Sequence, residues 1–198
     1  MSALERLAVE VGVNERTLRR AVGLELIHAQ RPSSRRLVLS DSEVAWVRSR
    51  WPVVSVLLAA LRTEPNVELA VLFGSVAREA DATDGSDIDI LIELRRPLPG
   101  ALEALHARLA GALGSDVELV PMRSAERDPH LLAEILRDGR PLVDRGDLWP
   151  VLQEKRASTQ ARARQEGRTL QTEARAAVGY FQRLATERAA PLPTGAGR

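Results

Sequence analysis

Along residues 4–21 (LERLAVEVGVNERTLRRA) the apolar or small positions Leu7, Ala8, Val11, Val13, Leu18 and Ala21 recur at helical spacing on either side of Gly12. The pattern predicts two short helices joined at a steep angle by a tight turn, a helix-turn-helix. Gly12 suits the left-handed conformation that ends a first helix. Asn14 is placed to cap a second, which carries Arg16, Arg19 and Arg20. The next stretch, LELIHAQRPSSRRLVLS, reads as two β-prone runs about a Pro32-Ser33-Ser34 turn with Arg31, Arg35 and Arg36 at its tip, the pattern of a wing. Residues 41–62 have a helical pattern with a break expected at Trp51-Pro52, because proline disfavours helix at the residue before it.

The pattern then changes. Residues 67–73 (VELAVLF) form a nearly continuous apolar run ending in Gly74, as expected of a strand buried on both faces. Residues 75–79 are expected to start a short helix, DATDGS is loop, and 88–94 is a second strand. Residues 101–113 suit an amphipathic helix, 117–120 a third strand, 130–138 another helix and 141–143 a short edge strand. This order predicts an α/β (α+β) unit around a small mixed sheet. From Asp147 the chain is helical and largely polar, with Leu170, Ala174, Ala177, Phe181 and Leu184 spaced as a stripe that would dock on the rest of the protein. The expected organisation is a winged helix-turn-helix over 1–50, a connecting helix over 51–65, the sheet domain over 66–144, a C-terminal helix over 145–190 and a disordered tail over 191–198.

Net charge adds to this picture only when the chain is divided. Residues 1–50 carry nine Arg against six acids, 51–150 ten Arg against seventeen acids, and 151–198 nine Lys or Arg against four acids. An acidic centre flanked by basic ends suggests carboxylate chemistry between surfaces suited to polyanions. Only one of the 28 basic residues, Lys155, is a lysine, so arginine usage tempers that inference. The chain has no Cys, which excludes disulfides and thiolate metal sites, and its three His, at 28, 106 and 130, are too scattered for a zinc site. No run approaches the roughly 20 uninterrupted apolar residues of a membrane helix, and MSALERLAVEVG lacks the apolar stretch of a signal peptide; a cytoplasmic location is expected.

Three features carry chemistry. A buried strand ends in Gly74-Ser75, where glycine permits close backbone approach to a triphosphate, and Ser75 with the following amides donates hydrogen bonds to its oxygens. In SDIDILIEL, Asp87 and Asp89 are two apart and share one face, while Ile88, Ile90 and Ile92 face the other way. Such paired hard carboxylates favour Mg²⁺ or Mn²⁺. In SDVELVP, Glu118 is a lone acid in a short apolar strand, placed to reach the same metals or to accept a proton.

Taken together, FGSVAREADATDGSDIDILIEL followed by DVELVP resembles the minimal nucleotidyltransferases of the polymerase β superfamily, whose domain residues 66–144 would cover. The resemblance implies that Gly74, Ser75 and Arg78 bind the nucleotide and that Asp87, Asp89 and Glu118 form the catalytic, metal-binding set. It also implies in-line attack of a hydroxyl on the α-phosphorus of a nucleoside triphosphate, ATP above all, with release of pyrophosphate. This chain departs from the family's usual pattern in Glu79, where glycine is common, in a longer loop before Asp87, and in Glu118, where Asp is usual.

Members of that family modify protein tyrosines, tRNA ends or small antibiotics, and several belong to toxin-antitoxin pairs. The first expectation is therefore AMP transfer to a protein partner, a separately encoded toxin or antitoxin, by an enzyme that also binds duplex DNA through Arg16, Arg19, Arg20, Arg31, Arg35 and Arg36. A toxin that adds nucleotides to tRNA is the alternative within the enzyme class. A non-catalytic DNA-binding regulator or antitoxin is the alternative outside it.

Overall fold

The computed structural model describes residues 2–33, 36–78 and 87–188, and side chains as far as residue 172 apart from those of Ser33 and Arg36. The readings of Ser34, Arg35, Glu79, the DATDGS loop and the tail therefore lie outside the described residues, as do the side chains of Arg36 and of the stripe beyond Leu170.

Helix α1 (Ala3–Glu10) starts in a reciprocal cap: Glu5 N–H donates to Ser2 Oγ and Ser2 N–H donates to Glu5 Oε2, both at 3.0 Å. Gly12 turns the chain at φ 70°, and Arg16 N–H donates to Asn14 Oδ1 at 2.8 Å to open α2 (Glu15–Gly23). An antiparallel hairpin follows, β1 (Gln30–Ser33) with β2 (Arg36–Val38).

The long helix α3 (Asp41–Arg62) then runs unbroken through Pro52. The break expected at Trp51-Pro52 is absent because buried residues on both sides of the proline hold the helix together. Trp46, Val47, Trp51, Val54, Leu57 and Leu61 are each 2% exposed or less, and their packing outweighs a penalty of about 3 kcal/mol for interior proline. By length and composition α3 alone among the described helices would pass for a membrane span, and a third of its most apolar window is buried inside the protein.

The sheet has the order β5-β4-β3-β6, with β3 (Val67–Phe73) antiparallel to both β4 (Ile88–Leu94) and the edge strand β6 (Arg140–Asp144), and with β5 (Val117–Pro121) parallel to β4. Strand alternation splits the core in two. Ala70, Leu72, Ile88, Ile90 and Ile92 join α3 and α5 (Ala101–Leu113) in a cluster that continues into the core of α1 and α2. Leu69, Val71, Phe73 and Leu91 face the other way, onto α6 (Met122–Arg127), α7 (Pro129–Asp138) and α8 (Leu148–Glu154). Helices α1 to α3 and α5 on one side, and α6 to α8 on the other, are thus tied to one sheet, whose opposite faces bury alternate residues of β3.

The C-terminal helix expected over 145–190 is two helices, α8 and α9 (Arg156–Arg188). Contact between α9 and α7 runs through small residues: Ala163 is 6% exposed, and a Cβ on Gly167 would lie 3.4 Å from His130 Cε1. Leu170, expected in the docking stripe, is 62% exposed. Close backbone approach, not a stripe of large apolar side chains, seats the described part of this helix.

Candidate active site

Register brings the sequence-separated acids together. Phe73 pairs with Asp89 across the antiparallel ladder, so Asp89 stands beside the end of β3, where the chain enters the four-residue helix α4 (Gly74–Ala77). On the other side of β4, Asp89 pairs with Glu118 in the parallel ladder. Asp87 immediately precedes β4 and, being two residues from Asp89, shares its face. The result is an open cleft of about 480 Å³ lined by Gly74, Ser75, Arg78, Asp87, Asp89 and Glu118 and closed by Phe73, Val120, Leu131 and Glu134.

The glycine has a reason that the sequence did not disclose. Gly74 has φ 71°, and a Cβ there would overlap the Asp89 carboxylate oxygen and lie 3.0 Å from its Cγ. The close approach is first of all to the acid of the neighbouring strand, and the positive φ turns the chain away from the sheet so that Ser75 can face the cleft.

Burial, reinforced by the charges of Glu118 and Asp87, pushes the Asp89 carboxyl above its ordinary range, and Arg78 offsets this only in part. Carboxylates crowded in this way favour a cation. Among the described residues no three acids or histidines are drawn into a preformed metal cage. Asp87 and Asp89 fit a hard divalent ion all the same, because Mg²⁺ is commonly held by one or two carboxylates with water and substrate phosphates completing its shell.

Arg78 opens onto the cleft but is held from behind, ion-paired with Glu134 and donating through Nε to Asp138 Oδ2 at 3.1 Å. Asp138 in turn is held below the usual carboxylate range, chiefly by Arg137 and with help from Arg78. Glu134 is a cleft residue that sequence reasoning missed; one acid on an amphipathic helix gives no signal of its own.

A second set of missed residues lies behind α4. Arg140 and Glu43, 1% and 0% exposed, form a bidentate pair at 2.6 and 3.0 Å. Arg140 also donates to Ala77 O at 2.7 Å and Leu26 O at 3.0 Å and lies 3.7 Å above the Trp46 ring. Trp46 Nε1 donates to Val76 O at 2.9 Å.

Of the arginines expected to touch DNA, Arg16, Arg19 and Arg20 are exposed on α2 and Arg31 is exposed on β1. Arg19 is paired with Glu15 one helical turn earlier at 2.5 Å. All four lie in the N-terminal unit, remote in sequence from the carboxylate cleft.

No curated protein matches the chain. Residues 57–147 match the family described as polymerase beta, nucleotidyltransferase. Among solved structures, one described as a toxin-antitoxin with AMP-PNP is 27% identical, with 65% of this chain and 98% of that chain covered and a TM-score of 0.44. Another, of a tri-AMPylated Shewanella oneidensis HEPN toxin in complex with an MNT antitoxin, is 26% identical, with 67% and 98% covered and a TM-score of 0.41. A third, the toxin-antitoxin MntA-HepT, is 26% identical over the same shares at a TM-score of 0.40. The family match spans β3, α4, β4, β5 and β6 and so contains every residue of the cleft: over residues 57–147 the chain is similar to nucleotidyltransferases of the polymerase β type.

Proposed function

We propose that the protein is a divalent-cation-dependent nucleotidyltransferase that moves AMP from ATP onto a hydroxyl of a protein partner, and that its N-terminal unit binds duplex DNA. The single observation that carries the catalytic part is the convergence of Asp87, Asp89 and Glu118 against the Gly74-Ser75 turn inside the matched domain. Protein as acceptor, and a toxin-antitoxin setting, rest on the likeness of the FGS…DID…VELVP motifs to minimal nucleotidyltransferases.

In this reading Asp87 and Asp89 would hold Mg²⁺ or Mn²⁺, which when bound neutralises charge on the triphosphate. Ser75 donates its hydroxyl hydrogen bond to a phosphate oxygen, and Gly74 leaves room for that approach. Arg78 exchanges its pairing with Glu134 for a phosphate, placing a guanidinium where negative charge accumulates on the leaving group. Glu118, exposed at the acceptor side of the pair, orients the attacking hydroxyl and accepts its proton.

A second reading, addition of nucleotides to tRNA, draws on one observation. A neighbouring cleft of about 700 Å³ between α7 and α9 shares Arg78 and Glu134 with the first and adds Arg137, Arg164 and His130, side chains suited to backbone phosphates. Incubating the protein with each α-labelled triphosphate, Mg²⁺ and host lysate separates the readings. Label in protein with ATP supports the first and label in RNA the second, while no label in either favours a non-catalytic regulator.

A further inference from the structure

We propose that Trp46 and Arg140 are positioning residues for the nucleotide-binding turn, by which the N-terminal unit holds the catalytic cleft in shape. The inference rests on the nucleotidyltransferase reading of that cleft and extends it to residues outside it.

Helix α4 has only four residues, so it cannot stiffen itself. Two consecutive carbonyls at its end are instead held by side chains: Val76 O by Trp46 Nε1–H at 2.9 Å and Ala77 O by Arg140 Nε–H at 2.7 Å. Both donors are anchored in turn. Arg140 is fixed by Glu43 from α3, by Leu26 O from the chain after α2, and by the face of the Trp46 ring. Glu43 also accepts from the His28 backbone N–H at 2.8 Å. Four of these anchors, Leu26, His28, Glu43 and Trp46, belong to the first 46 residues, yet the peptides they fix directly follow Gly74 and Ser75. A planar guanidinium with its donors in a fixed fork can serve Glu43, Leu26 and Ala77 at once; an ammonium cannot. Loosening either donor frees the turn that carries Ser75, and a shift of Leu26, Glu43 or Trp46 is felt at the same two carbonyls.

The test compares Trp46→Phe with Trp51→Phe in the full-length protein. Both tryptophans are buried in the same helix, but Trp51 Nε1 has no hydrogen-bond partner among the described residues, so its replacement changes packing and breaks no hydrogen bond. Amide exchange over residues 74–78, the melting temperature, and the affinity for the Mg²⁺-triphosphate that the parent binds best are measured for both. Trp46→Phe is expected to speed exchange at 74–78 and to weaken triphosphate binding by about ten-fold, the scale of one unmade hydrogen bond to a buried carbonyl. Trp51→Phe is expected to lower the melting temperature with neither effect. Arg140→Lys, which keeps the charge opposite Glu43, should reproduce the Trp46→Phe pattern. Equal effects of the two tryptophan variants, or unchanged exchange at 74–78 in Trp46→Phe, would overturn the proposal. Faster exchange with unchanged affinity would overturn the positioning role and leave a purely structural clamp. A parent that binds no triphosphate would overturn the reading of the cleft and with it the positioning role, while the exchange comparison would still report whether the clamp exists.

Discussion

At the scale of single residues Gly74 is the position in the cleft that tolerates little change. Gly74 combines a positive φ with a Cα pressed against the Asp89 carboxylate, so Gly74→Ala carries about 1–2 kcal/mol of backbone strain and must push Asp89 aside. Transfer should fall by about 10²-fold, the cost of an ångström-scale misplacement. Gly111→Ala, inside α5 where an added Cβ would meet nothing, should leave transfer intact and stability no lower. Glu118 tests the division of labour among the acids. Glu118→Gln keeps the shape and removes the charge, so transfer should drop by about 10²-fold while triphosphate affinity holds; Glu118→Asp should retain part of the rate. Equal rates for parent and Glu118→Gln would make Glu118 a bystander on an alternating strand. Asp87, Asp89 and Glu118 were legible in the sequence because isolated acids stand out in apolar strands. Glu43 and Arg140 were not, because their pairing joins positions 97 apart in the chain and neither residue departs from its local pattern.

At the scale of elements, sequence reading did best where burial writes itself into a run of residues. The apolar stretch 67–73 is a central strand flanked by β4 and β6, and the glycines at 100 and 114 bound α5. It did worst where tertiary packing overrules local preference, as at Pro52 inside α3, or where small residues make the contact, as at Ala163 and Gly167 of α9. The buried pair that ties α3 to β6 has a measurable signature. Burial alone would raise the Glu43 carboxyl, but hydrogen bonds from His28 and Arg140 outweigh it and hold the group down from 4.5 to about 2. A carboxyl that binds its proton less tightly when folded contributes stability that is complete above its unfolded pKa and is lost as pH falls through the folded one. Denaturant midpoints should therefore decline as pH drops from about 4.5 toward 2. Glu43→Gln should flatten this acid limb and lower stability at neutral pH by about 3–5 kcal/mol, the cost of leaving Arg140 buried without its partner. A limb of unchanged steepness in that variant would assign acid sensitivity to other carboxylates.

At the scale of the whole molecule, one of the two hydrophobic clusters passes without interruption from α1 and α2 through α3 to the sheet that carries the cleft. The exposed arginines of α2 and β1 lie on the N-terminal side of that cluster. If they track phosphates, affinity for a duplex from the upstream region should fall steeply with salt, and Arg16→Ala with Arg20→Ala should reduce the slope of log K against log salt by about two. Absence of binding at low ionic strength would turn this surface into a protein-interaction module. The catalytic claim is independent of that result. It is tested most directly by measuring transfer of α-labelled ATP into lysate protein by the parent and by the Asp87→Asn, Asp89→Asn double variant, with thermal unfolding of both. The variant should transfer nothing measurable yet melt no lower than the parent, because neutral side chains escape the burial penalty and the repulsion that raise the Asp89 pKa. Transfer at the parent's rate by a folded double variant would contradict the catalytic claim.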